Sequence, residues 1–246
     1  MRNLKVKMSY NGARYHGYQI QNNAESIQQT VESAIKTLMG EAVTINGCSR
    51  TDTGVHAKEF VFNFKTENNI PCSGFVKGMN ALLPTDIAIL SCEEAEEGFH
   101  ARFDSKGKEY LYRINCADVR DVFAENLALH YPYKLDYEKM RSAARLLCGT
   151  HDFAAFCKAE AKEHLVTTIR TVYSVEIKEN GGYTEVYVSG DGFLHNMVRI
   201  IVGTLIYISE GKRTEQDIVN ALETGDRELA GKTVAPCGLY LNKVFY

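Results

Sequence analysis

The run Cys48-Ser49-Arg50-Thr51-Asp52-Thr53-Gly54-Val55-His56-Ala57 gathers a carboxylate, a guanidinium, hydroxyls and an imidazole into one short stretch. Three chemistries are open to Asp52. Asp-Thr-Gly is the signature triplet of aspartic proteases, but those need two carboxylates sharing a proton. Here there is one copy, and Arg50 two residues earlier would hold the carboxylate ionised. Alternatively, Asp52 closes a turn, since Asp, Thr and Gly are ordinary turn residues, and the chain is a binding module. In the third chemistry Asp52 is a nucleophile or base, of the kind that forms covalent intermediates at sugar carbons and electrophilic rings. A retaining glycosidase would require a second carboxylate nearby; Asp191 and Glu109 are available, and nothing in the sequence singles them out.

A reactive side chain must be held by rigid elements. Leu4, Val6, Met8 and Tyr10 alternate with polar residues and predict a first strand. Arg14-Tyr15-His16-Gly17-Tyr18-Gln19 then forms a loop that either binds something or covers a surface. Ser26 reads as an N-cap with Gln29 three residues on, opening a helix that carries Ile27, Val31, Ala34, Ile35 and Leu38 and ends at Gly40. Strands are expected over 42–47, around Phe60, Phe62 and Phe64, and over 86–92 as a buried strand. A helix over 73–83, stopped by Pro84, lies between the last two. This β-α-β-β-α-β order is ferredoxin-like.

The second half is expected to repeat the order. A strand over 108–116 places Tyr110, Tyr112 and Ile114 on one side. Asp136 caps a helix ended by Gly149, and strands 169–178 and 183–189 form a hairpin across Asn180-Gly181-Gly182. A long helix is expected over 192–208, a helix capped by Thr214 after it, and a final strand over 238–246. The expected class is therefore α+β, with halves 1–104 and 105–246 forming a mostly antiparallel sheet platform around a central cleft.

Composition narrows the class further. Of 246 residues, 45% are hydrophobic and 24% charged, as in soluble globular chains, and no apolar window is long enough to span a bilayer. The N-terminus alternates polar and apolar residues from the start, with no signal-peptide core, so a cytoplasmic protein is expected. Seven cysteines without a Cys-x-x-Cys indicate neither a disulfide framework nor a zinc ribbon. Cys148, His151 and Cys157 make the best metal-like cluster, but their spacing matches no standard zinc pattern, and buried thiols explain them better. The net charge of −3 does not advertise nucleic acid. A local basic face remains open to Lys106, Lys108, Arg113, Arg141, Arg145 and Arg199, because the acids cluster in 93–97 and 160–163.

Arg50-Thr51-Asp52-Thr53-Gly54-Val55-His56-Ala57 resembles the Arg-Thr-Asp-Ala-Gly-Val-His-Ala signature of the TruA-type tRNA pseudouridine synthases. Four further runs resemble that family's motifs in order along nearly the whole chain: Phe99-His100-Ala101-Arg102-Phe103 with Lys108-Glu109-Tyr110-Leu111-Tyr112; Gly149-Thr150-His151-Asp152-Phe153; Phe193-Leu194-His195-Asn196-Met197-Val198-Arg199 with Ile201-Val202-Gly203; and Gly238-Leu239-Tyr240-Leu241. There are departures. Thr53 replaces the usual Ala, Tyr18 stands where the family often has Trp, and Pro236 is displaced by one residue before Gly238.

The resemblance implies the pseudouridine synthase fold and an isomerase that converts uridine to pseudouridine in the anticodon stem-loop of tRNA, at positions 38–40. The alternatives are the same chemistry on another RNA, or a catalytically silent RNA-binding module. Asp52 would be the nucleophile and Tyr110 would lie against the target base and take part in proton transfer. Arg199 would form a salt bridge to Asp52, and Arg50 would help move the base out of its stack. His56 is expected to be structural. No metal or other cofactor is implied; tRNA and a second copy of the chain, in a homodimer, are the implied partners.

Overall fold

A computed structural model describes residues 1–158 and 166–246; the acidic run 160–163 lies outside the described residues. The chain divides into two compact units, Met1–Lys106 with Tyr240–Tyr246, and Gly107–Leu239. Both are mixed α+β with a mostly antiparallel sheet. No helix among the described residues is long and apolar enough to cross a membrane.

In the first unit the order is β1 (Arg2–Tyr10), α1 (Ile27–Met39), β2 (Asn46–Gly47), β3 (His56–Thr66), α2 (Cys72–Leu82) and β4 (Ile87–Ala95). Strand β1 lies between β3 and β4, antiparallel to both. The far side of β3 is shared: β2 pairs with it antiparallel at Phe62 and Asn63, and β10 (Leu239–Phe245) pairs parallel at His56 and Ala57. Helix α1 starts where Ser26 accepts the Gln29 amide at 3.3 Å and ends at Gly40 in the left-handed region (φ 76°). Phe60, Phe62 and Phe64 are buried as their alternation predicts, but so are Val61 and Asn63 between them, because β3 is covered on both faces.

Two expectations for this unit need correction. The second strand occupies only Asn46–Gly47, not 42–47. The Ile45 amide is captured by the Glu32 carboxylate of α1 at 3.0 Å, which turns the preceding segment toward the helix instead of into a ladder. Strand β4 is not buried throughout: it lies at the sheet edge, and Leu90 is half exposed. The acids of 93–97 belong to that edge, where Glu93 pairs with Lys5 at 2.9 Å and Glu94 with Arg2 at 2.6 Å. Charged residues of this kind keep an open edge from pairing with another chain.

The second unit contains β5 (Gly107–Asn115), β6 (Leu129–His130), α3 (Tyr137–Leu146), β7 (Gly149–Asp152), β8 (Ile169–Asn180), β9 (Tyr183–Gly190), α4 (Met197–Ser209) and α5 (Glu215–Thr224). The hairpin β8–β9 turns at Gly181 and Gly182, both at positive φ, and β5 pairs antiparallel with β9. Sequence periodicity missed β6, parallel to β5, and β7, antiparallel to β8; each is too short to show a period. Gly149 consequently opens a strand (φ 112°) instead of ending α3, whose cap is Leu147.

Helix α4 begins at Met197, later than the expected 192. The residues before it are tied to the β8 edge: the Asp191 amide donates to the Thr171 carbonyl, and the Thr171 amide donates to the Asp191 carboxylate, both at 3.0 Å. Asn196 at the helix start is left-handed (φ 65°), a conformation that asparagine tolerates. Ten residues of α4, from Met197 to Ile208, are buried, so this helix is the core of its unit.

Candidate active site

Asp52 stands in the loop between β2 and β3, and the loop is held from several sides. Thr51, buried, shares a 2.8 Å hydrogen bond between its hydroxyl and that of Tyr10 on β1. The Tyr18 amide donates to the Thr51 carbonyl at 3.1 Å, and the Val55 amide donates to the Asp52 carbonyl at 3.1 Å, closing the turn at Gly54 (φ 76°). Behind the loop, the Gly12 amide donates to Nδ1 of His56 at 3.0 Å, and the His56 ring stacks on Tyr240 of β10 at 4.6 Å. His56 is 1% exposed and braces the loop from below.

Segment 12–18 is therefore a buttress for the Asp52 loop. Two glycines allow it to come close. A Cβ at Gly12 would sit 1.9 Å from the Val55 carbonyl oxygen, and one at Gly17 would sit 2.6 Å from that of Thr51, with Gly17 already at φ 88°. The segment is fixed at its other side by Asp86, which accepts from the Tyr15 hydroxyl at 2.9 Å and from Arg14 Nε at 2.8 Å. Burial and the Asp86 contact push the Tyr15 phenol up to about 12. Sequence reasoning missed Tyr10, Gly12, Gly17 and Tyr240 as supports. The usable signal was the pair of glycines, Asn11-Gly12 and His16-Gly17, bracketing an aromatic loop. Arg50 is exposed at the entrance of the loop, and Asp52 is half-buried behind it.

The second unit carries the other two expected residues. Tyr110 on β5 is 7% exposed, and its ring meets Phe193 edge-on at 5.2 Å. Next to it on the same face, the Tyr112 hydroxyl donates to the Ala235 carbonyl at 2.7 Å, and burial raises its pKa. Arg199 lies on the first turn of α4. Its Nε donates to the Val234 carbonyl at 2.8 Å and one terminal nitrogen donates to Asn196 Oδ1 at 2.7 Å. The Val234 amide returns a bond to the Arg199 carbonyl at 3.4 Å. A guanidinium fixed at two of its donors keeps others in a set direction, which suits it to a planar anion such as a carboxylate.

Helix α4 reaches that position because Gly203 faces the 231–234 segment. A Cβ there would lie 1.8 Å from the Lys232 carbonyl oxygen. One residue on, the Thr204 hydroxyl accepts the Gly231 amide at 2.8 Å and donates to the Ile200 carbonyl at 2.8 Å. Among the described residues no three His, Cys, Asp or Glu side chains come together as metal ligands; His151 Nε2 instead lies 2.9 Å from the Cys148 carbonyl oxygen.

Chemically, the first unit offers a carboxylate on a pinned turn with an exposed arginine two residues before it. The second offers a buried phenol-bearing strand and an arginine on a locked helix. Known proteins are similar to this chain over its whole length. A chain from Geobacillus sp. (strain WCH70), "tRNA pseudouridine synthase A", is 44% identical over 244 residues, 99% of this chain and 98% of that one. One from Clostridium perfringens, "tRNA pseudouridine synthase A 2", is 44% identical over 246 residues and the full length of both. A solved structure, the archaeal box H/ACA sRNP Nop10-Cbf5 complex, aligns at TM-score 0.37 with 12% identity over 92% of this chain and 59% of that one, too distant to carry weight. The family model described as tRNA pseudouridine synthase matches residues 7–104 and 143–246, which take in Asp52 with its buttress and Arg199 with its helix, and the chain belongs to that family.

Proposed function

We propose that this chain isomerises uridine to pseudouridine in the anticodon stem-loop of tRNA, at positions 38–40, with Asp52 as the nucleophile. The observation that carries this is the Asp52 loop itself. A half-buried carboxylate on a turn pinned by Tyr10, Tyr18 and His56 lies within a chain that matches tRNA pseudouridine synthases over its full length.

In the reaction Asp52 attacks the target nucleoside, at ribose C1′ or base C6, and the glycosidic C1′–N1 bond breaks. The uracil turns, C5 bonds to C1′, and the bond to Asp52 breaks, returning the carboxylate. The hydrogen on C5 leaves as a proton while N1 gains one, so the product is an isomer of the substrate. Tyr110 lies against the base and takes part in the proton transfer, and Arg199 pairs with the Asp52 carboxylate. Arg50 helps extrude the uridine, which a stacked or paired base requires before any chemistry. The enzyme works in the cytoplasm as a homodimer on tRNA.

The test uses tRNA with tritium at uridine C5, because forming the C5–C1′ bond expels that hydrogen. Wild-type protein releases tritium from tRNA with uridine at positions 38–40, and Asp52→Ala does not. No release from any tRNA would sink the activity, and release that survives Asp52→Ala would sink the role of Asp52. Sedimentation equilibrium reads the dimer directly.

A further inference from the structure

A pocket of about 190 Å³ opens in the first unit beside the Asp52 loop, lined among others by Tyr18, Ser49, Arg50, His100, Arg102 and Phe103. Two of these residues are in states that folding alone does not favour. Tyr18 is 4% exposed, and its hydroxyl has no hydrogen-bond partner among the described residues. Buried hydroxyls are nearly always satisfied, and this one is costly as it stands. It cannot swing away, because its ring stacks on Phe60 at 4.4 Å. Gly47 packs directly against it, a Cβ there falling 2.5 Å from the hydroxyl oxygen, so the enclosed hydroxyl meets the pocket only when the backbone at Gly47 gives way.

Phe103 presents the opposite anomaly, a large apolar ring 74% exposed on a rigid turn. The amides of Phe103 and Asp104 both donate to the His100 carbonyl at 3.1 Å, the His100 amide donates to the Asp104 carboxylate at 2.8 Å, and the Arg102 amide donates to His100 Nδ1 at 3.1 Å. Behind the turn, Asn63 Oδ1 accepts the Ala101 amide at 2.9 Å, and the Tyr246 hydroxyl donates to the Ala101 carbonyl at 2.7 Å. The Phe103 ring rests on His100 at 4.3 Å, with the Arg102 guanidinium 5.8 Å from its centre. The aromatic face is thus held ready at little further loss of side-chain freedom.

An exposed ring, an unsatisfied hydroxyl and two arginines ask for a flat heterocycle with a polar edge and an anion beside it. The volume falls below the roughly 300–1,000 Å³ of ordinary small-molecule sites, so it suits one ring system with its sugar and phosphate outside. We propose that this pocket receives a non-reacting nucleobase adjacent to the target uridine, with Phe103 stacked on its face and the Tyr18 hydroxyl bonded to its edge. Arg50 and Arg102 hold the adjoining phosphates. Capture of the neighbour offsets the lost stacking when the target leaves the helix. The assignment rests on the chain acting on RNA as proposed above.

The test is a set of dissociation constants at one fixed salt concentration, measured in the Asp52→Ala background so that binding is read without turnover. The RNAs are intact tRNA and tRNAs whose nucleotide 5′ or 3′ of the target is abasic. One of the two abasic tRNAs is expected to bind about tenfold more weakly than intact tRNA. Adding Phe103→Ala weakens intact tRNA by a similar factor and leaves that abasic tRNA unchanged; Tyr18→Phe behaves the same way with a smaller factor. Equal affinity for all three RNAs overturns the proposal, as does a Phe103→Ala loss that is the same on intact and abasic tRNA. Failure of tritium release by wild-type protein would register separately, against the activity and not the pocket.

Discussion

At the residue scale, the loop that bears Asp52 owes its position to a few hydrogen bonds from groups that do no chemistry. The Tyr10–Thr51 contact is the most separable of them, since Tyr10→Phe keeps the ring and removes only the hydroxyl. A buried hydrogen bond of this kind contributes about 1 kcal/mol to stability. Its larger effect is on geometry, because Asp52, the proposed nucleophile, directly follows Thr51 and small misplacements of a reacting group are costly in rate. We expect Tyr10→Phe to lower kcat of tritium release by about tenfold to a hundredfold with KM little changed. Thr214→Ala, which removes the capping box of α5, should cost about 1 kcal/mol in urea unfolding and leave kcat alone. Equal kcat losses in the two variants would show that Tyr10 acts only through stability. Asp52 and Arg50 stand out as candidates in the sequence because their types and spacing are unusual. Tyr10 was not, because a hydrophobic alternation hides which strand residue also makes a polar contact.

Helix α4 shows the same logic at the scale of an element. Gly203 lies in mid-helix, where alanine is ordinarily favoured by about 1 kcal/mol. Steric overlap decides otherwise: the Lys232 carbonyl oxygen occupies the place of a Cβ at 1.8 Å, and backbone cannot step aside as a side-chain tip can. Gly203→Ala is expected to destabilise by about 3 kcal/mol, seen as a fall of roughly 6–12 °C in Tm. It should also lower kcat, because the 231–234 segment that fixes Arg199 moves with the helix. A neutral or stabilising Gly203→Ala would show that the segment yields freely and does not hold Arg199. Periodicity revealed this helix and its apolar face. It did not reveal the start at Met197, which is set by Asp191 bonding across to β8.

The whole molecule carries a pH limit in two of its tyrosines. Tyr15 and Tyr187 are pushed up to about 12, chiefly by burial and by hydrogen bonds to Asp86 and Glu185. Both folded values exceed the ordinary tyrosine value of 10.0, so the folded state favours the neutral phenol. Their contribution is complete below about pH 10. It is lost as pH rises toward about 12, where the unfolded chain has already released protons that the folded one retains. Tm should therefore fall between pH 10 and 12, and Tyr15→Phe should flatten part of that fall. An equally steep fall in Tyr15→Phe would show that the Tyr15 phenol is not responsible. One tyrosine lies in each unit, so both units lose stability over the same range.

Sequence alone determined the class and most elements of this protein. Hydrophobic period, Ser26, Asp136 and Thr214 as caps, and the glycines of the β8–β9 turn are local signals that need no tertiary partner. It also pointed to Asp52, because a motif of unlike polar types is conspicuous in one dimension. The tertiary structure decided what long-range contacts decide. Only there does Ile45 give its amide to Glu32 and shorten β2, and only there do the last seven residues, Tyr240–Tyr246, join the first unit. The loop 14–19, read from sequence as either a binding loop or a covered turn, falls largely within segment 12–18, which becomes the brace beneath Asp52 because two glycines let its backbone touch the 51–55 turn. Close approach between segments far apart in the chain leaves no periodic mark in the sequence, and it is that approach which turns a polar loop into a fixed carboxylate.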